Sequence, residues 1–538
     1  MESIGTVHPL VIVFAVAYFI LIFGIGYVTR KAAGSPMEYA VAGRNVGSFI
    51  NGAGLAAAFL SPASFLGLPA FIFLLGYPFW WALAGIIMGM PLAALLTAAP
   101  LRKYAPVSFT DYYADRFESE KFGRAVTSIP VLVTGVLYIT LSLVGTALFM
   151  MAILKIPYFW SLVIGTAAVL FYVYMGGMVA TTWTQGLQGI LMTIAALLVA
   201  ILIVVHFGGF GELAAAIAEN NPKFWHPPHS TEGTAHPLMS VWTGMVSFFF
   251  VWHYGFATMP YSVVKFFTAM DLNSARLATF WSAFFGGLMY IGLIIIGSAA
   301  RVVLETMHPA MGQEGVNSAV GVLKFLQGYY ATSAAAITDY SMIATTQALG
   351  QPWLLGVLCA GGLAICMSTV AAWSMVMQVT LGRDWMIKIL GNKWAENNQV
   401  KAMQMWLVVV MIICFLIAIS PPAMVLDLSG WAFVLIIASC GPGLILGVWW
   451  ERSTTAAHLL TSAVFTALTL FSWLYAKLVL GSPHWFFLSD PIFGFKVPVG
   501  HQVYWIPVAF IFFIVVSLLT KRCSEQTVNK YSIELRYD

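Results

Sequence analysis

Two neighbouring hydroxyl side chains, Ser368 and Thr369, are the residues of this chain best suited to bind an ion. They lie in an apolar stretch, 352–382, that contains no charged residue. Adjacent side chains on a helix point about 100° apart, so both can line one cavity only if it touches a broad face of the helix. Neutral oxygens suit a hard cation such as Na⁺ and bind it weakly enough to release it. The alternative is that each hydroxyl bonds a carbonyl of its own helix, four residues earlier.

A second source of oxygen ligands is the apolar segment from Ser48 to Pro69. Small, polar and proline residues interrupt it at Asn51, Gly52, Gly54, Ser61, Pro62, Gly67 and Pro69. Pro62 lacks an amide hydrogen and clashes with the carbonyl four residues earlier, so helical bonding is predicted to lapse near Ala58. Carbonyls freed inside a bilayer need new partners. We therefore expect a discontinuous helix whose loose carbonyls help to hold a cation.

The composition places both stretches in a membrane. The chain has 538 residues, of which 60% are hydrophobic and 9% charged, whereas a soluble domain has about 25% charged residues. Windows of about 20 apolar residues predict an all-α polytopic membrane protein with about 13 transmembrane helices. These centre near Phe19, Phe59, Gly89, Tyr138, Ala168, Ala195, Phe249, Gly287, Cys366, Met411, Leu435, Ala467 and Phe512.

Basic residues in the connections predict the orientation. With the N-terminus outside, about 19 Lys and Arg residues lie on the inner side against about 6 outside, as the positive-inside rule requires. An odd number of spans then places the C-terminus in the cytoplasm. The charged, aromatic inner segment 101–125 is expected to lie along the membrane interface. Because the basic residues flank the membrane, the net charge of +4 indicates no nucleic-acid partner.

Few ionisable side chains are available for chemistry inside the spans. Asp427 and Lys265 stand at the ends of predicted spans and are expected to be interfacial. A proton relay needs a carboxylate or histidine within the bilayer, and His253 is the candidate. The alternative interpretation is that His253 is a buried, neutral histidine with a hydrogen-bonded neighbour. Three histidines in one predicted outer connection could suggest a zinc site, although the prolines and the ligand spacing favour an ordinary loop. These histidines are His226, His229 and His236.

Four motifs resemble the sodium:solute symporter family, in order and at the spacing of that family. They are Gly43-Arg44 before the broken span, the run from Gly176 to Gln185 with Gln188, Pro260 followed by Lys265-Phe266, and Ser368-Thr369 with Asp384 fifteen residues after the threonine. The stretches 61–76 and 180–183 are most similar to the acetate-permease branch. The resemblance covers the chain from about the first predicted span to the eleventh.

This resemblance implies a core of two inverted five-helix repeats with alternating access around a midplane site. Residues 1–46 would be a peripheral helix and inner loop, 47–450 the core, and 451–538 two further peripheral helices and a cytoplasmic tail. By the same resemblance, sodium would be bound by three backbone carbonyls and two hydroxyls. These belong to Ala57, Leu60, Ile365, Ser368 and Thr369.

Two positions depart from the family pattern. Phe59 stands where proline permeases often have a polar residue, which argues against proline as the substrate. Gln185 stands where many members have an acidic residue, which removes a negative charge near the ion site.

The substrate is inferred from shape and polarity. A small site of hydroxyls and aromatic rings suits a short carboxylate, which exposed N–H groups at a half-helix N-terminus could hold. Its expected residues are Ser61, Ser64, Phe65, Trp80, Trp252, His253 and Tyr254.

The predicted function is sodium-coupled import of a small organic solute such as acetate, across a plasma membrane that the resemblance suggests is a bacterial inner membrane. No enzyme activity is expected, and no cofactor beyond the co-transported sodium ion. Two alternatives stay open: proton coupling through His253 in the same fold, and a transporter-like membrane sensor.

Overall fold

The computed structural model describes residues 7–222, 224–225, 242–307, 341–420, 425–478, 487–488 and 499–536. These residues are almost entirely helical. The first thirteen α-helices are α1 Pro9–Thr29, α2 Pro36–Val41, α3 Ser48–Phe59, α4 Leu68–Leu75, α5 Trp80–Ala93, α6 Ala99–Tyr104, α7 Phe109–Arg116, α8 Phe122–Leu154, α9 Tyr158–His206, α10 Phe210–Asn220, α11 Trp242–Thr258, α12 Pro260–Thr268 and α13 Leu272–Met307.

The remaining α-helices lie between residues 341 and 536. They are α14 Ser341–Ala348, α15 Pro352–Val379, α16 Lys393–Asn397, α17 Gln399–Ala418, α18 Val425–Trp449, α19 Thr455–Leu478, α20 His501–Leu519, α21 Glu525–Val528 and α22 Glu534–Arg536. Short 3₁₀ segments are Arg30–Ala33, Ala42–Arg44 and Tyr77–Phe79, and π-helical segments are Ala63–Gly67, Ala94–Ala98, Thr380–Ile389 and Asn529–Ile533. Two antiparallel strands, β1 Phe487–Leu488 and β2 Val499–Gly500, pair with Phe487 opposite Gly500.

Helix length and hydropathy make this a multi-pass membrane protein. Among the described residues, nine helices are long and apolar enough to cross a bilayer, or ten if the bent pair α3 and α4 counts as one span. Helix α9 has 49 residues, or about 74 Å at 1.5 Å per residue, which exceeds two thicknesses of a hydrocarbon core of about 30 Å. Gly177 breaks it with φ +51° and ψ −137°. The count of thirteen spans stays a prediction.

The second span is broken where Pro62 predicts it. Helix α3 ends at Phe59, Leu60 is extended (φ −70°, ψ 106°), and the chain resumes in the π-helical turn at Ala63. The two halves are bent by 66°. A second break separates α11 from α12: Met259 is extended and Pro260 occupies the first helical position, which its fixed φ and missing donor favour.

Glycine allows the first half of the broken span to approach α9 closely. A Cβ atom at Gly189 would lie 2.2 Å from the carbonyl oxygen of Ala53, and one at Gly54 would lie 3.4 Å from that of Thr182. Small residues at such contacts let helix backbones approach inside a membrane. Helix α3 is therefore held directly against the middle of α9, with Asn51 and residues 52–60 all buried.

The inner segment 101–125, which the sequence predicts to lie along the membrane interface, packs closely against other parts of the protein. Helix α7 in this segment buries Asp111, Tyr112, Tyr113 and Arg116. Asp111 Oδ1 lies 2.6 Å from Arg124 Nη1 and 2.8 Å from Arg383 Nη1. These ion pairs explain the burial, because a charged side chain leaves water readily only when it is paired.

Candidate ion and solute sites

The hydroxyl pair on α15 faces the break between α3 and α4. Ser368 Oγ lies 2.7 Å from the carbonyl oxygen of Ala57 and 2.9 Å from that of Ile365. Thr369 Oγ1 lies 3.2 Å from the carbonyl oxygen of Leu60 and 3.4 Å from that of Ile365. All five residues are fully buried. The structure thus brings together the five residues whose oxygens the resemblance implied as sodium ligands.

This group of oxygens, hereafter the oxygen nest, has more acceptors than donors. The two hydroxyls supply one hydrogen each, whereas the carbonyl of Ala58 lies 3.5 Å from Thr369 Oγ1 in addition to those of Ala57, Leu60 and Ile365. Ala58 was not in the implied ligand set. Surplus buried acceptors are costly when no donor or cation satisfies them, so the arrangement suits a small cation.

Local backbone chemistry explains why these carbonyls are free. Pro62 has no amide hydrogen, so the carbonyl of Ala58 loses its helical donor. The extended conformation of Leu60 turns the next carbonyls out of the helical path. Bonding to the same helix, the alternative for the hydroxyls, is also present, because both reach the carbonyl of Ile365. The two readings are compatible, since each hydroxyl contacts α3 or the break as well.

A cavity adjoins the oxygen nest. The two share the broken segment, since Leu60 supplies a carbonyl to the nest and its neighbours Phe59 and Ser61 line the cavity. None of the described residues that line it is charged. They are Phe59, Ser61, Ala63, Ser64, Leu68, Ile86, Tyr138, Trp252, Phe256, Tyr290, Ser429 and Phe433.

The polar part of the cavity is made of hydroxyls from several helices. Ser64 Oγ lies 3.3 Å from the Tyr290 hydroxyl, and either group can donate. Tyr138 on α8 and Ser429 on α18 add further hydroxyl side chains. No local sequence pattern indicated that Tyr138, Tyr290 and Ser429 would line this cavity, because each lies on a different helix far along the chain.

Three of the seven expected substrate residues line this cavity, namely Ser61, Ser64 and Trp252. The other four do not. Phe65 is fully buried on the opposite side of its π-helical turn, with its ring 6.1 Å from that of Phe149. Trp80 packs on Tyr77 and Trp225 beyond the end of α4.

His253 and Tyr254 also lie outside the cavity lining, although they follow Trp252 directly. Successive residues of α11 point about 100° apart, so three in a row cannot face one small cavity. The His253 ring stacks on Phe249 with centroids 5.4 Å apart, and its Nδ1 has no partner within the described part of the chain. Tyr254 stacks on Phe250.

A sequence model of the sodium:solute symporter family matches residues 39–464. The chain belongs to this family. In this sodium:solute symporter, the matched residues include the oxygen nest and every residue that lines the cavity. The chain is a transporter of the multi-pass membrane class and not an enzyme, and its family couples sodium to a small solute.

Two solved structures share its fold. One is a substrate-bound, outward-open Na⁺-coupled sialic acid symporter, with 18% identity and a TM-score of 0.74, covering 96% of this chain and 99% of that chain. The other is a nucleobase-cation-symport-1 family transporter in a closed conformation with bromovinylhydantoin bound, with 13% identity and a TM-score of 0.50, covering 91% of this chain and 97% of that chain. The predicted transporter core of inverted repeats is confirmed by this likeness.

Gln185 on α9, which departs from the family pattern, contacts the backbone of Ser368, one of the residues of the oxygen nest. Its Nε2 donates to the carbonyl oxygen of Ser368 at 2.7 Å. The residue is fully buried, and its Oε1 has no hydrogen-bond partner among the described residues. Gln185 thus holds the backbone of the helix that carries the hydroxyl pair, and its Oε1 remains an unused acceptor among the described residues.

Lys265, whose place at the end of a predicted span suggested an interfacial side chain, is buried within the protein. Its side chain is 1% exposed, and Nζ lies 3.3 Å from Thr182 Oγ1. Asn51 on α3 donates from Nδ2 to the Lys265 carbonyl at 2.9 Å. The break at Met259 produces this burial, because it lets the short helix α12 fold in beside α3 rather than continue along α11.

Two other candidates lie wholly or partly outside the described residues, the histidine group and Asp427. The histidines His226, His229 and His236 are outside the described residues, as is the side chain of Asp427. Elsewhere in the described ranges, no group of three or more His, Cys, Asp or Glu side chains could hold a metal ion.

Proposed function

We propose that this symporter couples the inward movement of Na⁺ to the import of a short monocarboxylate, with acetate as the representative substrate. The observation that carries the proposal is the continuity of two sites through one backbone break. The Leu60 carbonyl belongs to the oxygen nest, and the next side chain, Ser61, lines the solute cavity. Orientation with the N-terminus outside, in a bacterial inner membrane, is part of the same proposal.

The break gives a physical reason for coupling. Sodium bound to the carbonyls of Ala57 and Leu60 and to the α15 hydroxyls fixes the conformation of residues 57–61. That conformation also sets the positions of Ser61 and Ser64 in the cavity. A ligand stabilises whichever state it binds better, and two ligands that favour the same state reinforce each other's binding. Sodium and solute would therefore enter and leave together.

The cavity favours a small and mostly apolar anion. Aromatic and aliphatic side chains suit a methyl or short alkyl group, and the hydroxyls of Ser61, Ser64, Tyr138 and Tyr290 can donate to a carboxylate. The half-helix 63–75 begins at the cavity, and its N-terminus favours negative charge. The bound sodium ion would offset the remaining charge of the carboxylate.

Uptake of radiolabelled acetate into proteoliposomes tests the proposal. An inward sodium gradient should drive accumulation, and potassium in place of sodium should abolish it. The double variant Ser368→Ala with Thr369→Ala should lose sodium-driven uptake. Thr345→Ala with Thr346→Ala is the matched control, because these adjacent buried hydroxyls on α14 bond only their own helix. Equal uptake with either cation would rule out sodium coupling, and uptake of sugars or amino acids in place of short acids would rule out the substrate class.

A further inference from the structure

Lys265 has a buried amino group with no counter-anion in the described part of the chain. Its one hydrogen-bond partner is the neutral hydroxyl of Thr182, at 3.3 Å. An ammonium group has three donors, so two are unused. Burying a charge without a partner is costly, and a position this unfavourable indicates a use for the charge.

A free acceptor lies next to it on the same face of α9. Thr182 and Gln185 are three residues apart and are therefore neighbours on the helix surface. Gln185 Oε1 is buried and unpartnered, while its Nε2 holds the backbone of Ser368 in the oxygen nest. Gly54 on α3 packs against this face, since a Cβ atom there would lie 3.5 Å from Gln185 Cβ. The ammonium thus has an unused acceptor about one helical turn from its present partner, on a side chain that contacts the oxygen nest.

We propose that Lys265 is a tethered cation that takes over from sodium when the ion leaves the oxygen nest. In the ion-bound state the ammonium stays on Thr182. After sodium leaves, it turns to Gln185 Oε1 and supplies positive charge to the surplus carbonyl oxygens of the empty nest. It thereby lowers sodium affinity on the side that we predict to be cytoplasmic, and it stabilises the empty carrier during its return. Lys265 is a positioning residue in this scheme, since it acts through Gln185 and does not touch the transported ion.

This inference rests on the proposed sodium coupling, and two transport modes separate it from a merely structural role. Net uptake requires sodium release and return of the empty carrier. Exchange of labelled for unlabelled acetate, with saturating sodium on both faces, requires neither, because the carrier can shuttle with the ion bound. A residue that serves only release and return should affect the first mode and spare the second.

The experiment compares Lys265→Met with wild type in both modes and in sodium binding to purified protein. Lys265→Met should bind sodium about tenfold more tightly, because removing one unit charge near a buried cation site changes its energy by more than 1 kcal/mol. Net uptake should fall about tenfold while exchange stays within about twofold. Gln185→Glu should shift both measurements in the same direction, since the carboxylate would hold the ammonium in a permanent ion pair. Thr184→Val is the matched control, because its hydroxyl bonds only α9 itself, and it should change neither mode.

The outcomes are distinguishable. Equal losses of net uptake and exchange in Lys265→Met would overturn the proposal in favour of a structural role, and unchanged sodium affinity with unchanged net uptake would overturn it as well. If wild-type uptake needs no sodium, the proposed function itself fails, whatever the lysine variants do.

Discussion

The oxygen nest around Ser368 and the ion pairs around Asp111 are two buried polar regions attached to the same helix, and they solve opposite problems. The nest is uncharged and has more acceptors than donors. In the second region, Asp111 and Asp384 face Arg124 and Arg383 at distances of 2.6 to 3.3 Å. Thr110 Oγ1 also donates to Asp384 Oδ2 at 2.7 Å. The chemistry of the first region suits a cation that binds and leaves. In the second region the cations are arginine side chains of the protein itself and cannot leave.

The difference follows from what each region must do. Ser368 lies on α15 and Asp384 lies on its π-helical continuation, so the ion pairs anchor the end of the helix that carries the nest. Arg124 lies in the first turn of α8 and Asp111 lies on α7. The ion pairs therefore join α7, α8 and the π-helical segment after α15. A rigid anchor permits strong, fully paired charges. A transport site requires weak binding and ready release, which neutral oxygens provide.

Breaking the anchor should give the largest effect on stability. Asp111→Asn leaves Arg124 and Arg383 short of a buried counter-charge, and such a loss costs about 3 kcal/mol or more. We expect a clear fall in the melting temperature of the detergent-solubilised protein. Glu120→Gln is the matched control, because Glu120 contacts the same Arg124 but is half exposed; it should change stability by less than about 1 kcal/mol. An unaltered melting temperature for Asp111→Asn would show that the anchor is dispensable.

The pH dependence of that effect has a definite sign. Burial alone would raise the pKa of Asp111, but the guanidinium groups of Arg383 and Arg124 hold it well below its ordinary value. A depressed pKa contributes stability above the unfolded value of about 3.9 and loses it as the pH falls through the folded value. The gap in stability between wild type and Asp111→Asn should thus be present at neutral pH and narrow as the pH falls below about 4, where the unfolded carboxylate takes up its proton. A gap that closes between pH 6 and 7 would contradict this.

Removing a single nest oxygen should weaken ion binding while leaving the fold intact. Ser368→Ala deletes the hydroxyl that contacts the carbonyls of Ala57 and Ile365, and one such interaction is worth about 1 to 1.5 kcal/mol. The sodium concentration for half-maximal uptake should rise about tenfold, with little change in melting temperature. Ser368→Ala should therefore destabilise the protein much less than Asp111→Asn does. Equal losses of stability in the two variants would show that the nest is a structural element.

A smaller effect is expected at the solute cavity. Tyr290→Phe removes the hydroxyl that contacts Ser64 Oγ and keeps the ring. The half-saturation concentration for acetate should rise by about threefold to tenfold, and that for sodium should change less. Tyr172→Phe is a suitable control, because its hydroxyl bonds the Met367 carbonyl and lines no part of the cavity. If the half-saturation concentration for sodium changed more than that for acetate, Tyr290 would belong to the ion site and not to the solute cavity.

The smallest effect should come from His253. It stacks on Phe249 and lies outside the cavity lining, so His253→Phe should keep sodium-driven uptake within about twofold of wild type. Abolished uptake in this variant, together with collapse of wild-type uptake by a protonophore, would instead support proton coupling.

Much of the ion site could be read from the chain because its chemistry is local. Pro62 removes a donor wherever it stands in a helix, and Ser368 and Thr369 are the adjacent hydroxyls of an uncharged apolar stretch. The solute cavity was only partly predictable. Ser61 and Ser64 belong to the broken segment, but Phe65 and Trp80 were chosen as aromatic neighbours in sequence, and helix geometry turns them to other partners.

Composition, periodicity and the breaking proline determined by themselves that this chain is a helical membrane protein with one interrupted span. These properties depend on each residue's own solvation and backbone bonding. Only the tertiary structure decided that Tyr138, Tyr290 and Ser429 share a cavity, that Lys265 is buried beside Thr182, and that segment 101–125 is anchored by ion pairs. Those facts depend on which helices meet after hundreds of intervening residues, and no local spacing records that meeting.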